Sequence, residues 1–420
     1  MTVRTTKLGN DVLVVTDAMD TVETASVGAW IAIGARHERT EINGITHLIE
    51  HMVFKGTERR SPKAIVEEIE AVGGHINAYT SRENTAYFAK VLKNDVALAL
   101  DIVADIVQHA TFDAEELERE RQVILQEISQ ANDTPDDIIF DYFNEAAYPD
   151  QSVGRSVLGT AEIIGSLPRD AVVSYMRSEY GAPRIVVGAA GRVDHDRFAA
   201  LSEEAFNTLS VAGAPMAERP RYLGGEKRER RNLEQVHLIT GFDGVSYEDP
   251  DYHALAVYST LLGGGMSSRL FQEARERRGL VYSIYSFSQS YDDAGLFGVY
   301  AGTGEREARE LLPLVANEML EVCERVSADE VQRARAQLKA STLMALESTS
   351  ARAEQAARQL QIYGRPIPVE ETIARIDEVD EAAVVRVARR VLSSPLTFAA
   401  VGPIAGLEPY ERIAACFTAG

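Results

Sequence analysis

The sequence predicts an α+β protein made of two related halves. Three observations predict it. The order of strand-like and helix-like stretches in the first half returns in the second. Glycine breaks interrupt both halves, Gly73-Gly74 in one and Gly263-Gly264-Gly265 in the other. The composition is that of an ordinary globular chain, 45% hydrophobic and 25% charged. At about 150 residues per domain, 420 residues allow two or three domains.

In the first half, Val12-Leu13-Val14-Val15 and Ala29-Trp30-Ile31-Ala32-Ile33 are rich in β-branched and aromatic residues and predict strands. Helices are expected over 45–54 and 62–72, the second ended by Gly73-Gly74. Strands follow over 75–80 and 85–91, then a helix over 96–108 and a long acidic helix over 113–130. Asp113 suits its N-terminus, with Glu115 and Glu116 in the first turn. The second half repeats the plan: a strand over 235–242, a helix over 251–262, the glycine break and a helix over 267–277. Strands over 281–288 and 295–301 and helices over 305–325 and 328–347 complete it. Between the halves, the Gly-, Pro- and charge-rich stretch 211–231 reads as a linker. It separates an N-terminal domain, 1–215, from a C-terminal one, 216–420.

Charge narrows the partners. Lys and Arg number 43 and Asp and Glu 64, a net charge of −21. Such a chain repels nucleic-acid phosphates and suits basic peptides. Cys323 and Cys416 are too few for a disulfide framework or a thiolate metal cluster. No apolar run reaches the ~18 residues of a membrane helix, and the first residues lack the apolar core of a secretory signal. A cytoplasmic protein with no membrane insertion is the expectation.

The sharpest chemical feature is His47-Leu48-Ile49-Glu50-His51. Residues four apart on a helix lie one turn apart on one face, so both imidazoles can reach one metal ion. A catalytic zinc takes three protein ligands and leaves a fourth position open. A nearby carboxylate then acts as base, and Glu50 is adjacent. His-x-x-Glu-His reverses the commoner His-Glu-x-x-His order. Five residues alone fit a polar helix surface almost as well. The acidic helix offers a third ligand in Glu120 or Glu127, seven residues apart and hence on one face, bordering Val123, Ile124, Leu125 and Ile128. Spacing does not choose between them. His37, His75, His109, His195, His237 and His253 have no partner at ligand spacing and read as surface or hydrogen-bonded residues.

The segment His47-Leu-Ile-Glu-His-Met-Val-Phe-Lys-Gly-Thr57 resembles the signature of the pitrilysin/insulinase family of zinc peptidases, in particular its short-chain branch, which includes mitochondrial processing peptidases. The resemblance implies Zn2+, one per chain, held by His47, His51 and Glu127, with Glu50 as base and Glu120 as an assisting or orienting carboxylate. Gly73-Gly-His-Ile-Asn-Ala-Tyr-Thr also resembles the family. It implies an edge strand that binds peptide by β-addition, with Asn77, Ala78 and Tyr79 at the matching positions. Arg275 and Tyr282, seven apart, match the family's Arg/Tyr substrate-binding pair. Their side chains can donate to a peptide carbonyl. Asp137 and Asp141 fall where processing peptidases recognise an arginine near the cut, and Phe54 where a pocket wall is expected. A solvated helix face and a core position are the plain alternatives.

The resemblance further implies two homologous α+β domains, each a mixed, mostly antiparallel sheet packed with helices. Two chains would close as a clam-like homodimer around peptide substrates, with Arg275 and Tyr282 of one approaching the zinc of the other. The expected activity is zinc-dependent endopeptidase action on peptides or unfolded presequence-like segments, with a preference for a basic residue near the cut. Two other classes compete: a non-catalytic core subunit of a larger assembly with a relic zinc site, and a zinc hydrolase of small amides. The intact ligand set disfavours the first. The second has no use for an edge strand and a second domain.

Overall fold

The computed structural model describes residues 3–211 and 217–418. Its strands are β1 (Val3–Lys7), β2 (Leu13–Ala18), β3 (Thr24–Ile31), β4 (His75–Thr80), β5 (Thr85–Leu92), β6 (Ile185–Gly191), β7 (Gly225–Arg230), β8 (Val236–Asp243), β9 (Val281–Ser290), β10 (Gly295–Thr303) and β11 (Thr397–Gly402). They build two mixed sheets, ordered β1-β2-β6-β3-β5-β4 and β7-β11-β8-β10-β9. In the first, only β2 and β6 run parallel; in the second, only β11 and β7 do. Removing β1 makes the two orders superimposable, strand for strand and sense for sense. The repeated plan in the sequence is therefore a repeated sheet, and the α+β class holds.

The chain falls into two compact units. The first comprises Met1–Ser129, Ser156–Glu218 and Leu343–Pro368, the second Gln130–Arg155, Arg219–Thr342 and Val369–Gly420. Each unit thus takes one segment from the other half of the sequence. In the first unit, one sheet face is covered by α1 (Ile45–Met52), α2 (Pro62–Ala71) and α3 (Val96–His109), with Leu48, Ile49, Ile65, Leu100 and Val103 in the core. Its other face receives the borrowed helix Thr349–Tyr363, whose Ala353, Ala356, Ala357 and Leu360 pack on Val15, Trp30 and Val186. In the second unit, the helices Tyr252–Gly263, Ala308–Glu324 and Glu381–Leu392 cover one face. The other face holds α5 (Pro135–Ala147), through Ile138, Ile139 and Phe143 against Ile239, Leu296 and Val401. The long acidic helix, α4, runs Ala114–Asp133, and its N–H groups at Glu115 and Glu116 are capped by Asp113 as the sequence predicts.

Three expectations need correction. The linker stretch contains β7, a strand whose Gly225-Glu-Lys-Arg-Glu-Arg230 sequence reads as loop because it lies on a sheet edge and carries charge on both sides. Residues 212–216 of that stretch lie outside the described residues. The first strand pair is shifted, with β3 running Thr24–Ile31 rather than 29–33. The helix over 267–277 is wound as a π-helix from Phe271 to Arg277. No helix among the described residues is long and apolar enough to cross a membrane.

Candidate metal centre

Helix α1 buries Ile45, Leu48, Ile49 and Met52. That stripe turns His47, Glu50 and His51 away from the core, as a 3.6-residue period requires. Helix α4 lies opposite and buries Leu117, Glu120, Arg121 and Ile124. Glu120 and Glu127 stand three residues beyond Leu117 and Ile124, so the apolar stripe that docks α4 also aims both carboxylates inward.

The side chains converge. His47 Nε2 lies 3.7 Å and His51 Nε2 3.5 Å from Glu127 Oε2. The two imidazole rings meet edge to face with centroids 4.7 Å apart. Tetrahedral zinc with bonds of about 2.0–2.1 Å spaces its ligand atoms by roughly 3.3 Å. Two imidazoles and one carboxylate at these separations fit such an ion closely. Among the described residues, this is the one group of three His, Cys, Asp or Glu side chains that meets ligand spacing.

Each neighbour has a physical task. His51 Nδ1 is 3.0 Å from Glu120 Oε2, and Glu120 Oε1 is 2.7 Å from Lys55 Nζ. A carboxylate behind a ligating histidine fixes ring orientation and leaves Nε2 for the metal. Glu120 therefore stands on the Nδ1 side of His51, away from the Nε2 that faces Glu127. Burial, with a smaller push from His51, lowers the pKa of His47 to about 4. Its imidazole is then neutral, the form that binds metal. Burial raises the pKa of Glu50, Glu127 adds to the rise, and the Thr80 hydroxyl and His51 oppose it. Among the described residues, the buried Oε2 of Glu50 and Nδ1 of His47 have no hydrogen-bond partner. Sequence reasoning missed Lys55. The available signal was its position four residues after His51, on the same face if the helical turn continues.

The other expected residues fall in different places. Strand β4 forms the outer edge of the first sheet and pairs only with β5. Asn77 is exposed, and its Oδ1 accepts the Ala78 N–H at 2.9 Å. Ala78 and Thr80 point to the α1 side, while the Tyr79 hydroxyl donates to Glu354 Oε1 at 2.7 Å on the opposite sheet face. The Tyr79 side chain is thus turned away from the α1 face of the sheet. Phe54 is partly buried, its ring 6.3 Å from that of Tyr87. Arg275 and Tyr282 do meet, within the second unit: the Arg275 guanidinium lies 4.9 Å from the Phe271 ring centroid and 5.8 Å from that of Tyr282. Tyr282 is 76% exposed. Asp137 and Asp141 also lie in the second unit, on one face of α5. Burial and then the neighbouring Asp141 and Asp136 raise the Asp137 pKa. Of the remaining histidines, His195 bridges Thr6 and Thr16 at 2.8 Å each, and His237 meets the Tyr300 hydroxyl at 2.9 Å.

The profile described as Insulinase (Peptidase family M16) matches residues 13–161, which hold all three candidate ligands, and that described as Peptidase M16 inactive domain matches 166–338. The chain belongs to the insulinase family, peptidase family M16. An uncharacterized zinc protease of Rickettsia felis is 36% identical over 398 residues, covering 94% of this chain and 97% of its own. The probable mitochondrial-processing peptidase subunit beta of Arabidopsis thaliana is 39% identical over 429 residues, covering 97% of this chain and 80% of its own. A protease from Helicobacter pylori has the same fold, with a TM-score of 0.88 at 21% identity over 96% of this chain and 99% of that one.

Proposed function

We propose that the protein is a zinc-dependent endopeptidase that hydrolyses extended peptides or unfolded segments. The observation that carries this reading is the meeting of His47 Nε2, His51 Nε2 and Glu127 Oε2 with Glu50 adjacent. Family membership and relatives named zinc protease and processing peptidase support it. His47, His51 and Glu127 would hold the ion. When bound, zinc polarises a carbonyl and brings a water's pKa towards neutrality.

The chain's own groups do the rest. Glu50, its pKa raised by burial, takes the proton of the attacking water and returns it to the leaving amine. Glu120 and Lys55 hold His51 in register. The free edge of β4 pairs with substrate backbone, which selects extended chains over particular side chains. Arg275 and Tyr282 donate to a substrate carbonyl, and the Asp137–Asp141 face favours a basic residue near the cut.

The test is cleavage of a fluorogenic peptide by Glu50→Gln. That variant is expected to keep its zinc and lose at least ~10³-fold in kcat, since proton transfer and water activation both fail. Unchanged turnover would remove Glu50 from the reaction. Run on the parent protein, the same assay should favour arginine-containing peptides over alanine-substituted ones; equal rates would remove the acidic subsite.

A further inference from the structure

A buried carboxylate ahead of α1 has no part in the chemistry above. Glu38 is 3% exposed and follows the short turn Ala35–His37. Its Oε1 accepts the Thr46 backbone N–H at 2.8 Å. Its Oε2 accepts the Gly44 N–H at 2.7 Å and the Asn43 Nδ2–H at 2.8 Å. Gly44 is the N-cap of α1 and Thr46 its second residue, and Gly44 has no side chain with which to cap. The first N–H groups of a helix need an acceptor from outside it, and an anion is favoured there. Glu38 provides both from six residues upstream of Gly44.

The surroundings leave this turn no room to drift. Gly44 is held at φ +94°, and a Cβ there would stand 2.6 Å from the Leu158 carbonyl oxygen. Asn43 also donates to the Ser156 carbonyl at 3.1 Å, and the Thr46 hydroxyl reaches the Tyr175 hydroxyl at 3.5 Å. His47 directly follows Thr46, and α1 is only eight residues long. Both imidazoles therefore take their height along the helix from where its first turn is pinned.

We infer that Glu38 is a positioning residue of the metal centre: by capping α1 from outside the helix, its carboxylate sets the His47–His51 pair against Glu127. This rests on reading that pair and Glu127 as zinc ligands. Supporting groups behind metal ligands typically change affinity by about 10–100-fold.

The experiment measures zinc affinity by competition with a fluorescent chelator, on stripped protein checked for folding by circular dichroism. Glu38→Gln keeps the shape but aims an amide N–H at N–H donors. Glu38→Asp keeps the charge but shortens the reach. Val187→Ala, in the core of β6, controls for general loss of stability. The expected result is zinc binding weakened about 10–100-fold in Glu38→Gln, less in Glu38→Asp and less than 2-fold in Val187→Ala, with activity regained as zinc is raised. Affinity within 2-fold of the parent in both Glu38 variants would overturn the inference, as would equal weakening in Val187→Ala. If Glu38→Gln does not fold, Glu38→Asp decides. A parent chain that binds no zinc would remove the metal reading itself, and this inference with it.

Discussion

At the residue scale, each ionisable group at the centre is set by what surrounds it. Glu120 accepts from His51 Nδ1 and Lys55 together. Glu120→Gln should weaken zinc binding by about 10–100-fold while the fold stays intact; equilibrium dialysis against zinc measures this, and unchanged affinity would make Glu120 a bystander. His47 carries a sign that can be checked. Its folded pKa is depressed to about 4 from 6.5 by burial, so the unfolded chain binds a proton that the folded chain refuses. Stability of the metal-free protein should fall as pH drops through 6.5 towards 4, by at most ~3 kcal/mol from this group. His47→Gln should flatten that part of the stability profile in urea titrations; an unaltered slope would contradict the assignment.

At the element scale, two kinds of segment behave differently in the sequence. The His47–His51 motif was legible because its chemistry lies within one turn of helix. Spacing alone did not choose between Glu120 and Glu127, which offer identical chemistry on one face; the family resemblance pointed to Glu127, and the docking of α4 brings its Oε2 towards His47 and His51. Strands β6 and β11 lack a strand signal in the sequence because they are buried throughout, with no alternation, and their Ala and Gly residues dilute the β-branched and aromatic run that marks the equally buried β10. The strand over 75–80 was legible after Gly73-Gly74 and its edge position was implied by the family resemblance, but the turning of Tyr79 away from α1 was in neither. That edge yields a prediction. The Ala78 N–H is held by Asn77 Oδ1 and takes no part in the β5 ladder. Ala78→Pro should leave thermal stability within about 1 kcal/mol and raise KM for peptides roughly tenfold with kcat little altered. Progress curves over a range of substrate concentrations distinguish this from a loss in kcat, which would argue against strand addition.

At the scale of the whole molecule, duplication accounts for most of what was legible: one sheet plan, written twice, with the His47, His51 and Glu127 group in the first copy. What was not legible is the exchange of helices. Segment 130–155 packs in the second unit and 343–368 in the first, and nothing in a local pattern says which sheet an amphipathic helix will cover. Stability should likewise respond to the metal as a whole-molecule property, because a ligand bound only by the folded state stabilises it by about 2.7 kcal/mol at a hundredfold excess over Kd.

The most direct measurement is zinc stoichiometry alongside peptide cleavage, in purified protein before stripping with a chelator and after zinc is restored. One zinc per chain is expected, with cleavage lost on stripping, regained on restoration, and both zinc and cleavage absent from a His47→Ala, His51→Ala double variant. Cleavage that persists in fully stripped protein, or a double variant that keeps its zinc, would contradict the central claim.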